Sequence, residues 1–392
     1  MLIDSSVNLM NAQLTGTDRS HLSRALELAE RGRGRVSPNP LVGAVVVRDG
    51  DVIGEGFHAE YGELHAERAS LADCDAKGNE PSGATMYVTL EPCAHTGKQP
   101  PCTEAILAAG IARVVVSSDD PSEKAAGRGL GILRDGGVEV ELASGEEATR
   151  ARLLNQAFRK HARTGLPLVT LKLAISLDGR TSPLPGDSPW ISGEQSRELV
   201  HRWRAEADAI AVGIGTVLAD DPLLTARLPD ARQPTRVVFD RQARTPLDSQ
   251  LLSTLDQSPV LIVVSPEADA AALREAGAEI LVADGIEATL SELGRRNVTS
   301  LFLEGGPALA SAFQVANQLD EARIFVAPIL LGAGPNAPRA GGMGDGGVED
   351  SPWTARSAPP SPTTGPARLQ PLSHASKTVG DDVLITARFK EW

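Results

Sequence analysis

The 392-residue chain has only three cysteines, too few for a disulfide framework. It has no apolar run near the roughly 20 residues that a membrane span needs. Its first 17 residues lack the basic start and apolar stretch of a secretion signal. It has no basic excess either: 38 Lys and Arg face 51 Asp and Glu, a formal net charge of −13. That balance argues against general nucleic-acid binding, which needs a basic footprint. Neither of the two glycine-rich strand-to-helix turns, Gly213-Ile214-Gly215 and Glu304-Gly305-Gly306, is the G-x-G-x-x-G dinucleotide fingerprint. A reducing cytoplasm is the expected setting, with two of the cysteines serving as metal ligands.

What is present is ordinary in bulk and specific in detail. Apolar content is 41% and charged content 23%, as in globular proteins, and the length suggests two domains. The pattern predicts a helix capped by Asp18 and running to about residue 32, then strands at 41–48 and 52–57 joined by an Asp49-Gly50 turn. A helix over 65–74, a strand over 84–90, a helix over 102–109 and a strand over 112–118 follow. One more helix and strand reach about 142, and a helix covers 146–163. Thr164 to Pro167 breaks the pattern, so domains are expected at 18–163 and 167–392. In the second, strands are expected at 168–174, 209–213, 236–240, 260–265, 279–283, 300–304, 323–328 and 383–389, with helices between. Residues 332–366, rich in Gly, Pro, Ser and Ala, read as a loop. Alternating strands and helices imply α/β folds.

The chemistry concentrates at His65-Ala66-Glu67, Pro92-Cys93 and Pro101-Cys102. One imidazole and two thiolates suit zinc and leave a fourth tetrahedral position for water. Each Pro-Cys pair suits a loop entering a helix, where the N-terminus favours the thiolate. Glu67, two residues from a ligand, is placed to move protons for that water, the layout of a hydrolytic zinc deaminase. Eight residues separate the cysteines, against two in the common deaminase signature. The competing reading is a structural zinc with Cys74, His58 or His95 as fourth ligand.

These segments, with Ser37 to Gly43 and Thr89 to Cys102, resemble the bifunctional deaminase/reductase family of riboflavin biosynthesis, in which the longer cysteine spacing is expected. The resemblance runs over about residues 18–390. It implies a cytidine-deaminase-like α/β/α domain followed by a dihydrofolate-reductase-like α/β domain that uses NADPH. It implies zinc on His65, Cys93 and Cys102, with Glu67 catalytic. Asn39, His95 and Lys98 would contact the pyrimidine; read alone, Asn39 is equally a turn residue and Lys98 a solvated charge.

In the second half the resemblance places the cofactor against Ala174, Trp190, Thr216, Asp220, Gly306, Pro307, Ala308, Leu309, Ala310, Ser311 and Ala312. Ser188, Arg204, Leu224, Arg227 and Glu304 would hold the ribosyl substrate, and Lys172 would approach the reacting sugar. Arginine forks suit phosphate, though surface ion pairs would also explain them, and Trp190 equally suits a core. The implied activity is hydrolysis of the 2-amino group of 2,5-diamino-6-ribosylamino-4(3H)-pyrimidinone 5′-phosphate, then NADPH-dependent reduction of ribosyl to ribityl. The implied partner is that small molecule, with no nucleic acid or membrane, and the chain would form a homo-oligomer. Two other readings remain: a deaminase of another nucleotide with an inactive reductase-like domain, and a zinc-stabilised nucleotide sensor.

Overall fold

A computed structural model describes residues 14–123, 125–181, 190–332 and 369–392. Ser188 and residues 333–366 of the expected loop fall outside them. The chain divides into two compact units, Met1–Thr164 with Trp392, and Gly165–Glu391.

The first unit runs α1 (Gly16–Glu30), β1 (Gly43–Arg48), β2 (Asp51–Phe57), α2 (Ala66–Ala76), β3 (Thr85–Val88), α3 (Cys102–Ala108), β4 (Arg113–Val116), α4 (Arg128–Asp135), β5 (Glu139–Leu142), α5 (Glu146–Leu154) and α6 (Gln156–Thr164). The sheet order is β2-β1-β3-β4-β5. β1 pairs antiparallel with β2 and β3, and β3, β4 and β5 are parallel. β1 is apolar at nearly every position because both its faces are covered. Ala44 and Val46 join a core with Ala66, Ile106 and Leu133 from α2, α3 and α4; Val45 and Val47 join Leu22, Ala25 and Ala148 from α1 and α5. The result is three layers, α/β/α.

Local chemistry sets the joints. Asp49 and Gly50 both have positive φ, 53° and 92°, as a two-residue hairpin turn requires. The cap of α1 is Thr15, not the expected Asp18. The Thr15 hydroxyl accepts from the Asp18 N–H at 3.1 Å, and the Asp18 carboxylate accepts from the Thr15 N–H at 2.9 Å, a reciprocal capping box. The expected helix over 146–163 is two helices, broken at Asn155, whose side-chain amide brackets the backbone of Leu41.

Gly43 marks where α1 lies directly on β1. A Cβ there would sit 2.0 Å from the Ala25 carbonyl oxygen, and backbone cannot yield as a flexible side chain would. Gly43→Ala is therefore expected to destabilise the first unit by at least about 2 kcal/mol. A denaturant melt followed by deaminase activity checks this; an unmoved midpoint contradicts it.

The second unit runs β6 (Leu168–Ser176), α7 (Glu194–Glu206), β7 (Ala209–Gly213), α8 (Ile214–Asp220), β8 (Thr235–Phe239), α9 (Gln250–Ser253), β9 (Val260–Val264), α10 (Ala271–Glu275), β10 (Glu279–Val282), α11 (Ile286–Arg295), β11 (Ser300–Leu303), α12 (Pro307–Val315), β12 (Glu321–Ala327), β13 (Ser373–Val379) and β14 (Asp382–Arg388). The order is β10-β9-β8-β7-β11-β6-β12-β14-β13. Strands β10 through β12 are parallel, and β14 and β13 close that edge antiparallel. Apolar cores cover both faces: Leu171, Leu303 and Phe313 lie in one, Ile210, Phe302 and Phe325 in the other. In such sheets ligands bind beyond the carboxyl ends of the strands. Glu304, Gly306 and Gly213 lie at those ends.

Candidate functional site

Two helix N-termini and one loop assemble the first site. His65 is the N-cap of α2 and Cys102 the first residue of α3, after Pro101. Cys93 lies on the loop after β3, and its Sγ accepts the Cys102 backbone N–H at 3.3 Å. His65 Nδ1 stands 3.6 Å from Cys93 Sγ and 3.4 Å from Cys102 Sγ. These are close to the N···S edge of about 3.6 Å in a tetrahedron with zinc's usual bond lengths. The three ligand atoms all lie within 4.8 Å of one another, and among the described residues they form the one such His/Cys/Asp/Glu group. The donors therefore fit zinc and leave its fourth position without a protein ligand, as in catalytic sites.

Glu67 is 3% exposed. Burial, and then the neighbouring Cys93 thiolate, push its carboxyl up to about 7. The Cys102 thiol donates toward Cys93 and holds the Cys93 thiol below its ordinary value, while Cys102 is pushed up in return. The hydrogen bond with Cys93 also raises His65. Two thiols and an imidazole converging this closely suit a divalent cation, which binds the deprotonated thiols.

The proposed fourth ligands of a structural zinc are otherwise placed. Cys74 is wholly buried in the α2 core. His95 is exposed on the loop between the cysteines. His58 is held at both ring nitrogens: Nδ1 donates to the Leu64 carbonyl at 3.0 Å, and Nε2 accepts from the Asn39 amide at 3.0 Å. Burial holds that ring below its ordinary value. His58 thus orients Asn39, and Asn155 secures Leu41 two residues later. The sequence pattern gave no sign of either link. Lys98 is exposed, and its Nζ lies 3.9 Å from the centre of the Tyr61 ring.

In the second unit, Arg204 on α7 and Glu304 after β11 form a two-pronged ion pair at 2.7 and 2.9 Å. The third arginine nitrogen donates to the Thr225 carbonyl at 3.3 Å. Burial opposes charge on Glu304, but the guanidinium outweighs it and holds the carboxyl below its usual value. Lys172, on β6, lies near both; burial lowers its ammonium, with Glu304 opposing. These three residues, distant in sequence, form one cluster. A phosphate reaching Arg204 would therefore meet a fork already occupied by Glu304.

The two glycine turns also meet. A Cβ on Gly306 would lie 3.8 Å from Thr216 Oγ1, and one on Gly213 would lie 3.7 Å from the Leu309 Cβ. Gly306 caps α12 with Pro307 at its first position. Leu309, Ala310 and Ala312 are core residues and Ser311 is buried; Gly306, Pro307 and Ala308 are the accessible part of the turn. Trp190 is 58% exposed and so is no core anchor; Arg197 lies over its ring at 5.1 Å. Ala174 is half-buried on β6, Asp220 and Arg227 are exposed, and Leu224 is buried with φ of 57°.

Known proteins agree with this division. The cytidine and deoxycytidylate deaminase zinc-binding region matches residues 15–118, and the RibD C-terminal domain matches residues 167–351. The riboflavin biosynthesis protein RibD of Aquifex aeolicus is 38% identical over 338 residues, which is 85% of this chain and 92% of that protein. The crystal structure of a diaminohydroxyphosphoribosylaminopyrimidine deaminase/5-amino-6-(5-phosphoribosylamino)uracil reductase from Thermotoga maritima is similar at 33% identity and a TM-score of 0.80, covering 95% of this chain and 99% of that one. Acinetobacter baumannii RibD is similar at 35% identity and a TM-score of 0.79, covering 96% and 99%. The chain belongs to the RibD family of riboflavin biosynthesis proteins, enzymes that join a zinc-dependent deaminase to an NADPH-dependent reductase.

Proposed function

We propose that this chain removes the 2-amino group of 2,5-diamino-6-ribosylamino-4(3H)-pyrimidinone 5′-phosphate and then reduces the ribosyl group of the product to ribityl. We assign the first step to residues 18–163 and the second to 167–392. The observation that carries the reading is the buried Glu67 carboxylate beside the converging His65, Cys93 and Cys102. A nucleotide sensor would need the three ligands but not an ionisable carboxyl buried beside them.

His65, Cys93 and Cys102 would hold the zinc, whose Lewis acidity brings water toward ionisation at neutral pH. Glu67 takes a proton from the attacking water and delivers it to the leaving amine, so one residue is base and then acid. Asn39, oriented by His58, offers its amide to the pyrimidine edge. His95 and Lys98 approach from the loop between the cysteines.

In the second unit, NADPH would supply hydride to the ribosyl carbon. Ala174, Trp190, Thr216, Asp220 and the turn Gly306 to Ala308 would receive the cofactor. Lys172 would act at the sugar, and Leu224, Arg227 and the Arg204–Glu304 pair would hold the ribosyl substrate. The formal charge of −13 supports a small-molecule substrate over nucleic acid. No helix among the described residues is long and apolar enough to cross a membrane. Three free cysteines support a reducing cytoplasm. Val383 and Ile385, exposed on β14, support self-association.

Product analysis tests the assignment. With the diaminopyrimidinone substrate and no NADPH, the zinc-loaded protein is expected to release ammonia and stop at the ribosyl product. With NADPH, the ribityl product follows. No ammonia from the zinc-loaded protein, or a ribityl product still carrying the 2-amino group, overturns the assigned sequence.

A further inference from the structure

The segment between α8 and β8 carries Leu224 and Arg227, and its backbone is unusually constrained. Leu224 is buried and left-handed, with φ of 57°, a conformation that a bulky residue adopts only where its surroundings impose it. The hydrogen bonds around it supply that constraint. Arg236 donates to the Leu223 carbonyl at 3.2 Å, and Arg204 donates to the Thr225 carbonyl at 3.3 Å. The Arg227 N–H donates to His201 Nδ1 at 3.3 Å.

Gln233 is the one side chain that holds a residue of this segment from both sides. Its Oε1 accepts the Ala226 N–H at 2.8 Å, and its Nε2 donates to the Ala226 carbonyl at 2.8 Å. The amide acts as a one-residue strand, pairing with Ala226 as a neighbouring backbone would. It is anchored two residues before β8, which lies inside the parallel sheet. Ala226 lies between Leu224 and Arg227, so this bracket fixes both.

We propose that Gln233 is a positioning residue of the reductase: its amide clasps Ala226 and sets Leu224 and Arg227 in register to receive the ribosyl phosphate before substrate arrives. The inference rests on the assignment of Leu224 and Arg227 to that substrate. Misplacement by about 1 Å of a substrate-holding group costs up to about 10²-fold, so the expected effect is large for a residue that need not touch substrate.

The test uses the full zinc-loaded chain and the deaminated ribosyl phosphate. Gln233→Leu removes both hydrogen bonds at similar size, and Gln233→Glu keeps an acceptor for the Ala226 N–H but loses the donor. Gln233→Leu is expected to raise the reductase KM by about 10- to 100-fold, with kcat within about twofold. NADPH affinity, read by nicotinamide fluorescence, and deaminase turnover should be unchanged. Gln233→Glu should fall between the wild type and Gln233→Leu. Arg227→Met should raise KM as well, and the double variant should be no worse than the larger single effect, because the two act in series.

An unchanged KM in Gln233→Leu, with Arg227→Met impaired, overturns the role of Gln233 alone. An unchanged KM in Arg227→Met overturns the underlying substrate assignment. Loss of NADPH binding together with kcat in both Gln233 variants would mean a merely structural residue, which also overturns the proposal.

Discussion

Glu67→Gln is expected to keep its zinc and lose deamination. The side chain is nearly isosteric, and Glu67 is not one of the three ligand residues, so metal content should be unchanged. What disappears is a buried carboxyl beside the three ligand residues, placed to move protons for the attacking water. Loss of such a group lowers kcat by about 10²- to 10⁴-fold. Reductase turnover on the deaminated substrate, carried by the second unit, should persist and so report that the chain is folded. Metal analysis beside ammonia release checks both halves. A variant that loses zinc would make Glu67 a ligand, and one that keeps full ammonia release would remove it from the mechanism.

Glu304→Gln is expected to damage the second unit as severely. The Arg204 and Glu304 side chains are 13% and 9% exposed. Neutralising one partner leaves a buried guanidinium uncompensated, which costs about 3–5 kcal/mol. Lys172 loses its nearby anion as well. The pH dependence has a definite sign. The folded-state Glu304 carboxyl lies below its unfolded value, so its contribution is complete above roughly pH 4.3. It falls away as acid brings the pH down through the folded-state value. Glu304→Gln should lose that part of the acid sensitivity along with reductase turnover. Melting of the full chain against pH, with deaminase activity as the internal control, provides the check. A midpoint that does not move at neutral pH would show that the pair contributes no net stability.

The legible parts of the sequence were those whose causes are local. The Asp49-Gly50 turn was legible because two adjacent residues with positive φ carry their own signal. The convergence of His65 and Cys102 was legible because each begins a helix. Misreadings followed where a distant partner decides. Asp18 looked like a cap, but its carboxylate serves Thr15, Tyr87 and Arg113 together. The pairing of the Arg204 fork with a carboxylate 100 residues on had no local signal either.

Residues 306–312 read as one run, and the sequence did not show that the helical repeat of α12 turns the Leu309, Ala310 and Ala312 side chains into the core. The edge strand β13 was missed because Ser373–Val379 is almost wholly exposed and has no apolar alternation. Backbone pairing with β14 alone forms it. His58 and Gln233 were silent for the same reason: each acts through a hydrogen bond to another segment.

The central claim is that His65, Cys93 and Cys102 hold the metal on which deamination depends. Zinc titration of chelator-treated protein, with ammonia release followed at each point, tests it most directly. Activity should rise in proportion to bound metal and saturate at one zinc per chain, with Cys102→Ala showing neither binding nor turnover. Full ammonia release from metal-free protein would contradict it.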